Sequence, residues 1–404
     1  MKNISIILGR GIEGCGVTKF TIEQCKYFEK SSAYKYKVFA SKDKSWTRKD
    51  AHSTNHIQQL KFANDDDVDE MIKEINESDI AIINSLPASS LKEKPIENFK
   101  RMLDQIDVPV VLIQHDHSMQ SIRRNAALDE AIRKADIIFV HSTSNDFAKY
   151  AREKVGGGVT LFGTEPGTSI IAFQPGMYFD DVRNKYWKSE CLNPKHHKWI
   201  GRTTSWKGYQ EMFKYHNAHL APSGMLTTFE GIERSPAYLG FRELSVFKGL
   251  LGENIDTYDF SDGYGSDVHV FGPYIQEEML ERMSNVGFGY QLSRMKEHFI
   301  QRSIEYTHCE VVCTGTIPVF NKRYGDACTH RLYNKKLTAC ENSGTIWLDE
   351  NNLEENLNQM LEIDNDTALR EKMRNEAYSF YKSHQDASYT FNDMMVSIAE
   401  NIDV

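Results

Sequence analysis

No apolar run in the sequence reaches the roughly 18 residues that a bilayer-spanning helix needs, so an integral helical membrane protein is not expected. The opening stretch, Met1-Lys-Asn-Ile-Ser-Ile-Ile-Leu-Gly9, is too short and too interrupted by Ser5 for a secretory leader. Cysteine is sparse. The seven residues, at 15, 25, 191, 309, 313, 328 and 340, are odd in number and form no paired framework, which argues against a disulfide-stapled secreted domain. Cys309 and Cys313 lie four apart, but no second pair or nearby histidine pair completes a zinc site, so the thiols are expected to be buried or neutral. These absences together predict a cytoplasmic protein. Positive charge is also in deficit: 48 Lys and Arg against 57 Asp and Glu leave a net charge of −9. That balance argues against a nonspecific nucleic-acid binder, while leaving room for a local basic groove.

What is present is a globular chain of 404 residues, 40% hydrophobic and 26% charged, long enough for two domains. β-Branched runs predict strands at Lys2 to Leu8, Tyr36 to Ala40, Asp79 to Asn84, Val108 to Gln114 and Asp136 to Val140. Helical stretches separate them, among them Val17 to Lys30, Asp67 to Glu77 and Ser121 to Lys134. Asp65-Asp-Asp67 reads as a helix start. This alternation means a parallel sheet covered on both faces. Phe173 to His197, rich in Pro, Asn, Lys and aromatics, breaks the periodicity and reads as a crossover. A second α/β series follows, with strands at Lys198 to Gly201, Val268 to Phe271, Thr316 to Phe320 and Thr345 to Leu348. From about Asn351 onward the pattern is helical. The expected fold is therefore α/β, with two Rossmann-like halves and a cleft between them, and ligands in such sheets bind beyond the C-terminal ends of the strands.

Four segments lie where that rule points. Gly9-Arg-Gly-Ile-Glu-Gly14-Cys15-Gly16 follows the first strand and opens a helix, a setting in which backbone amides approach a phosphate. It contains the dinucleotide spacing, but Lys42 stands before Asp43 where the ribose-binding acid belongs. A P-loop is ruled out because Val17, not Lys, follows Gly16. A tight turn without ligand is the plain alternative. Gln114-His115-Asp116-His117 ends the fourth predicted strand. Asp116 can act as a base or stabilise positive charge, and His115 and His117 can hydrogen-bond a sugar or an acceptor. No third ligand accompanies the histidines, so no metal site is assigned, and a polar loop capping the next helix is the alternative. Gly201-Arg202-Thr-Thr-Ser-Trp-Lys207-Gly208 sets a bidentate fork near a point charge, which suits a diphosphate and the charge of a departing phosphate. Gly287-Phe-Gly289-Tyr290-Gln291 reads as a turn offering backbone groups to a base. Further on, Glu305 and Glu310 would stand about 140° apart on one regular helix, so they have different jobs or one precedes the helix. Among the basic clusters, Arg123-Arg124 is favoured for DNA because it lies just beyond His117.

The third and fourth segments together resemble the retaining GT-B glycosyltransferases, which carry a Gly-Arg…Lys-Gly phosphate turn and a Glu five residues before a Cys-Gly-Thr-Pro-like turn; Glu310 and Gly315 fit that spacing. The family's first Glu would fall on Arg302 in this sequence, which makes Glu305 the stand-in. A closer resemblance, to the DNA α-glucosyltransferase family of T-even bacteriophages, spans essentially the whole chain. It rests on Arg10 to Phe20, Gln114 to Ser118, Trp199 to Thr204, Glu233 to Ala237, Gly287 to Ser293 and Gln301 to His308. The resemblance implies a GT-B fold with an acceptor domain over 1–185, a UDP-sugar domain over 186–375 and a C-terminal helix over 376–404 packing back on the first domain. It implies retaining transfer of a sugar from UDP to 5-hydroxymethylcytosine in duplex DNA, with the base flipped out of the stack, and protection of phage DNA from host nucleases. Glucose leads and arabinose is the rival sugar; an NAD-dependent oxidoreductase using the first glycine turn is a more distant alternative. By position, Arg202 and Lys207 would hold the diphosphate, together with Gly14, Cys15 and Gly16. Glu310 would hold the ribose, and Gly289 and Tyr290 would lie near the uracil. His115, Asp116 and Glu305 would surround the sugar and acceptor, with His117, Arg123 and Arg124 on the DNA. The Asp-x-Asp metal setting of the other major glycosyltransferase fold is missing, which leaves a divalent ion on the diphosphate as an open assistant.

Overall fold

Two parallel sheets organise the chain. The computed structural model describes residues 1–11, 16–42, 57–115, 123–141, 146–155, 168–190, 193–201, 207–230, 268–271, 276–293 and 305–402. They fall into two compact units, one taking in Met1–Met177 and Ala387–Val404, the other Tyr178–Lys296 and Ile304–Asp386.

In the first unit, β1 (Lys2–Leu8), β2 (Tyr34–Ser41), β3 (Ile57–Leu60), β4 (Ile80–Ser85), β5 (Val110–Gln114), β6 (Ile137–Val140) and β7 (Ser169–Ala172) form one sheet. Its order is β3-β2-β1-β4-β5-β6-β7. All pairs are parallel; Ile6 sits between Val38 and Ile82, and Val111 between Ile82 and Ile137. Four consecutive residues of β6 and five of β5 are buried, as expected of strands covered on both faces. The covering helices are α1 (Gly16–Lys30), α2 (Asp65–Asn76), α3 (Glu93–Gln105), α4 (Leu128–Lys134) and α5 (Asp146–Lys154). Helix α2 starts as its acidic run predicts: the Asn64 side chain accepts from Asp66 N at 3.1 Å, and Asp65, Asp66 and Asp67 meet the positive end of the helix dipole.

The second unit carries β8 (Asn193–Ile200), β9 (Leu226–Glu230), β10 (Val268–Phe271), β11 (Val286–Gln291), β12 (Ile317–Asn321) and β13 (Ile346–Leu348) in the order β10-β9-β8-β11-β12-β13, again all parallel. Around it lie α6 (Phe179–Tyr186), α7 (Tyr209–Tyr215), α8 (Gln276–Met283), α9 (Tyr306–Cys313), α10 (Lys322–Ala327), α11 (Leu353–Asn365) and α12 (Thr367–Gln385). Its core is built on Trp199, Phe229, Phe288, Tyr290, Val319 and Met360. Helix α13 (Ala387–Asn401) belongs to the first unit, where Phe391 packs on Phe20 at 5.1 Å and on Tyr27 at 5.9 Å.

Several sequence expectations are corrected. The crossover read over Phe173 to His197 contains α6 and the first half of β8; Pro194 and a run of lysines and histidines hide a strand whose burial begins only at His197. The second unit accordingly starts at Tyr178 and ends at Asp386, where the Asp386 carboxylate accepts from Phe179 N at 3.4 Å. The helix expected over Ser121 to Lys134 begins only at Leu128. Residues Arg123 to Ala127 form a turn whose backbone is committed elsewhere: Asn125 bridges Ala88, Ser89 N donates to Arg124 O, and Ala126 N donates to Pro87 O. The Gly-Phe-Gly turn is no turn; it is the buried interior of β11. Cys25, Cys309, Cys313 and Cys328 are buried thiols outside any disulfide, and burial pushes the Cys25 thiol up to about 12. No helix among the described residues is long and apolar enough to cross a membrane.

Candidate active site

Each sheet reverses direction once, between β1 and β4 and between β8 and β11, and such a reversal opens a crevice beyond the strand ends. In the second unit that point is occupied by an ion pair. Lys207, 7% exposed, reaches the carboxylate of Glu305 with its ammonium. The chain is brought there by Trp199 on β8, whose indole N–H donates to Lys207 O at 3.2 Å. Gly208 holds a φ of +73°, and a Cβ at that residue would stand 2.3 Å from Leu292 O, so only glycine lets the turn close on the end of β11.

Glu305 caps α9 from a non-helical backbone, φ −73° and ψ 155°. It therefore precedes the helix, while Glu310, buried, lies within it: of the two readings of their spacing, the second holds. The Glu305 carboxylate also accepts from Gln291 Nε2 and Ser293 Oγ, both at 3.4 Å. Gln291 donates to Thr307 Oγ1 at 2.7 Å and accepts from Ser293 N at 3.0 Å. A charged pair in a largely buried setting is thus held by a polar frame drawn from β8, β11 and α9, as a desolvated charge requires. Behind it lies His308, which sequence reasoning passed over. Its ring stacks on Tyr324 at 4.7 Å and meets the edge of Phe320 at 4.4 Å, and neither ring nitrogen has a hydrogen-bond partner among the described residues. Burial holds its pKa down to about 3, so the ring is neutral.

The Tyr290 side chain is turned into the core. It is fully buried, its phenol 2.6 Å from His197 Nδ1 and 3.2 Å from the Met360 sulfur. Gly289 serves packing: a Cβ there would lie 2.6 Å from Val311 Cγ1 on α9, so the glycine lets helix and sheet approach. Arg202 lies outside the described residues, as do Gly14, Cys15, Asp116 and His117.

In the first unit, the reversal point carries the turn Gly9-Arg10-Gly11. Gly9 N donates to Ser85 O at 2.8 Å, and Gly11, at φ +78°, would place a Cβ 2.0 Å from Ser41 O. Gly16 is the first residue of α1. Arg10, missed in the sequence, donates from Nη2 to Asn125 Oδ1 at 2.5 Å and so ties the glycine turn to the exposed Arg123-Arg124 turn. His115 follows β5 and is enclosed by Phe20, Phe173 and His141 at 4.9, 5.8 and 5.9 Å between ring centroids. Among the described residues no group of three or more His, Cys, Asp and Glu side chains is placed to hold a metal ion.

Two doubly wound units of this kind, one with a cation at its reversal point, are the architecture of GT-B glycosyltransferases. Residues 15–368 match the family model described as DNA alpha-glucosyltransferase, and the chain belongs to that family. It is 42% identical over 396 residues, 96% of this chain and 98% of the other, to the DNA alpha-glucosyltransferase of Enterobacteria phage T4. Among solved structures it is similar to an alpha-glucosyltransferase in complex with UDP-glucose and DNA containing an abasic site (39% identity, TM-score 0.86, 98% of this chain and 99% of that one). It is similar also to an alpha-glucosyltransferase in complex with UDP and a 13-mer DNA containing an HMU base (40% identity, TM-score 0.88, the same coverage).

Proposed function

We propose that the chain moves glucose from UDP-glucose to the hydroxymethyl group of 5-hydroxymethylcytosine in duplex DNA. The observation that carries this reading is near-full-length similarity to a phage DNA alpha-glucosyltransferase, together with a buried cation at the strand reversal where a nucleotide diphosphate belongs. The relative solved with UDP-glucose favours glucose over arabinose. The oxidoreductase alternative gives way to the family membership.

In the proposed reaction the bond between the sugar's anomeric carbon and the diphosphate oxygen breaks, and its electrons go to the diphosphate. Lys207 and Arg202 stabilise that charge. Glu305 holds the Lys207 ammonium in place before the donor arrives, so little reorganisation is needed when the diphosphate takes over the contact. The hydroxymethyl oxygen forms the new bond on the face the diphosphate leaves, which retains the α configuration. Its proton passes to a base, for which Asp116 beside His115 is the candidate. Glu310 is assigned the ribose hydroxyls. The target base leaves the stack to react, at a cost of a few kcal/mol, order of magnitude only. Arg123 and Arg124 supply local positive charge on an acidic body, with His117 alongside them. The work is done in the cytoplasm of the infected bacterium, where the glucosylated DNA resists host nucleases.

Incubation of hydroxymethylated duplex with UDP-glucose or UDP-arabinose, followed by mass measurement of the DNA, tests the reading. A hexose increment with the first donor is expected. A pentose increment, or none with either donor, overturns it.

A further inference from the structure

Residues Thr329 to Lys336 of the second unit form a small hairpin that the donor site does not use. Thr329 bridges Lys336, His330 N donates to Lys335 O at 2.8 Å, and Asn334 turns the tip at φ +51° and returns its N–H to His330 O at 2.9 Å. The hairpin is bolted to α12: Arg331 N donates to His384 Nδ1 at 2.9 Å, and the His330 ring packs on Phe380 at 4.5 Å and His384 at 4.8 Å. On this base the tip lifts two large apolar residues into solvent. Leu332 is 57% and Tyr333 53% exposed, the one adjacent pair among the exposed large hydrophobics of the described residues. Tyr333 is held in place by stacking on His330 at 4.3 Å.

The charge of the tip runs against that of the chain. Thr329 to Lys336 contains Arg331, Lys335 and Lys336 and no acidic residue, in a protein of net charge −9. Lys335 and Lys336 are exposed, and neither has an ion-pair partner among the described residues. The hairpin also lies toward the end of the sheet that carries the site. Gln385, next to His384, accepts from the Sγ of Cys309 at 3.1 Å, and Cys309 is in the first turn of α9, which Glu305 caps.

We infer that this hairpin is a second DNA-binding surface, with Lys335 and Lys336 on phosphates and Leu332 and Tyr333 against the neighbouring deoxyribose edge. A preordered tip costs little entropy on binding, and a polyanion is the partner that uncompensated cations fit. The inference rests on the proposed DNA substrate.

The test measures transfer and duplex binding as a function of salt for the wild type, K335A/K336A, K335R/K336R and L332S/Y333S. In K335A/K336A the slope of log affinity against log salt should fall by about 0.9 for each phosphate that is no longer neutralised. Its duplex KM should rise about tenfold while the UDP-glucose KM stays unchanged. The arginine pair should restore the slope, and L332S/Y333S should raise the duplex KM with the slope intact. Wild-type KM and slope in both serine and alanine variants overturn the inference, as does a change in self-association with an unchanged duplex KM, which assigns the tip to a second copy. If the wild type binds DNA with a lysine-dependent slope but transfers no sugar, the reaction reading fails and the surface stands.

Discussion

Lys207 and Glu305 meet at the reversal point of the second sheet although 98 positions separate them in the chain. The ammonium is nearly buried beside the carboxylate, and Gln291 and Ser293 hold the carboxylate. Lys207→Met should raise the UDP-glucose KM and lower kcat if, as proposed, that charge acts on the donor and on the leaving group. Glu305→Gln should lower stability by about 2 kcal/mol, since it removes a carboxylate charge from beside a largely buried ammonium. The double variant should recover much of that loss. A denaturant-based double-mutant cycle reads the coupling; additive single effects would contradict the pairing.

The Arg10–Asn125 hydrogen bond ties the glycine turn after β1 to the Arg123-Arg124 turn. Arg10→Ala and Asn125→Ala should each raise the duplex KM several-fold and leave the UDP-glucose KM near wild type, because breaking the bond frees the basic turn and not the donor site. Steady-state kinetics with each substrate varied in turn separates the two. An equal rise in both constants would mean that Arg10 serves the donor.

The strands that the sequence made legible are those whose β-branched runs are continuous, such as Ile80 to Ser85 and Val110 to Gln114. Those it hid carry their burial on other residues: β8 opens with Asn193-Pro-Lys-His, and β11 looks like a glycine turn although Gly287 and Gly289 serve close packing against Pro194 and Val311. Of the candidate site, Lys207 is marked by a phosphate-turn pattern and Glu305 by the family resemblance, each on its own. Their pairing depends on strand order, which local pattern does not encode. The same holds for Arg10 and His308, whose roles come from neighbours 115 residues away and from burial among Phe320 and Tyr324. Tyr290 shows a related limit: a motif position leaves open which face of the strand the side chain takes, and here it turns into the core.

Acid should unfold the chain through its buried histidines. His197, His308 and His384 all have pKa values held down to about 3, in each case chiefly by burial, against 6.5 in the unfolded chain. Between those values the unfolded state binds protons that the native state refuses. Stability therefore falls as pH drops below 6.5, by up to about 1.4 kcal/mol per pH unit for each ring, and is unaffected by these groups above it. His308→Phe keeps the stacking on Tyr324 and removes one titrating ring, so its stability should fall less steeply with acid. Urea titrations at neutral and mildly acidic pH give the two slopes, and an unchanged slope in the variant would show that His308 takes up a proton in the native state.

Gly208 joins backbone conformation to the placement of Lys207. It sits at φ +73° with the Leu292 carbonyl where a Cβ would go, and it directly follows Lys207. Alanine there needs both a strained backbone and a retreat of the chain from the end of β11, which together should cost about 1–3 kcal/mol. Because the retreat pulls on Lys207, the loss should be felt at the donor as well: Gly208→Ala should lower Tm and weaken UDP affinity, whereas Gly224→Ala is a matched control. Gly224 has a similar φ of +72° but nothing within 4 Å of its Cβ direction, so it carries the strain without the displacement. If the two variants lose the same stability and Gly208→Ala binds UDP as the wild type does, the close approach to Leu292 does not position the lysine.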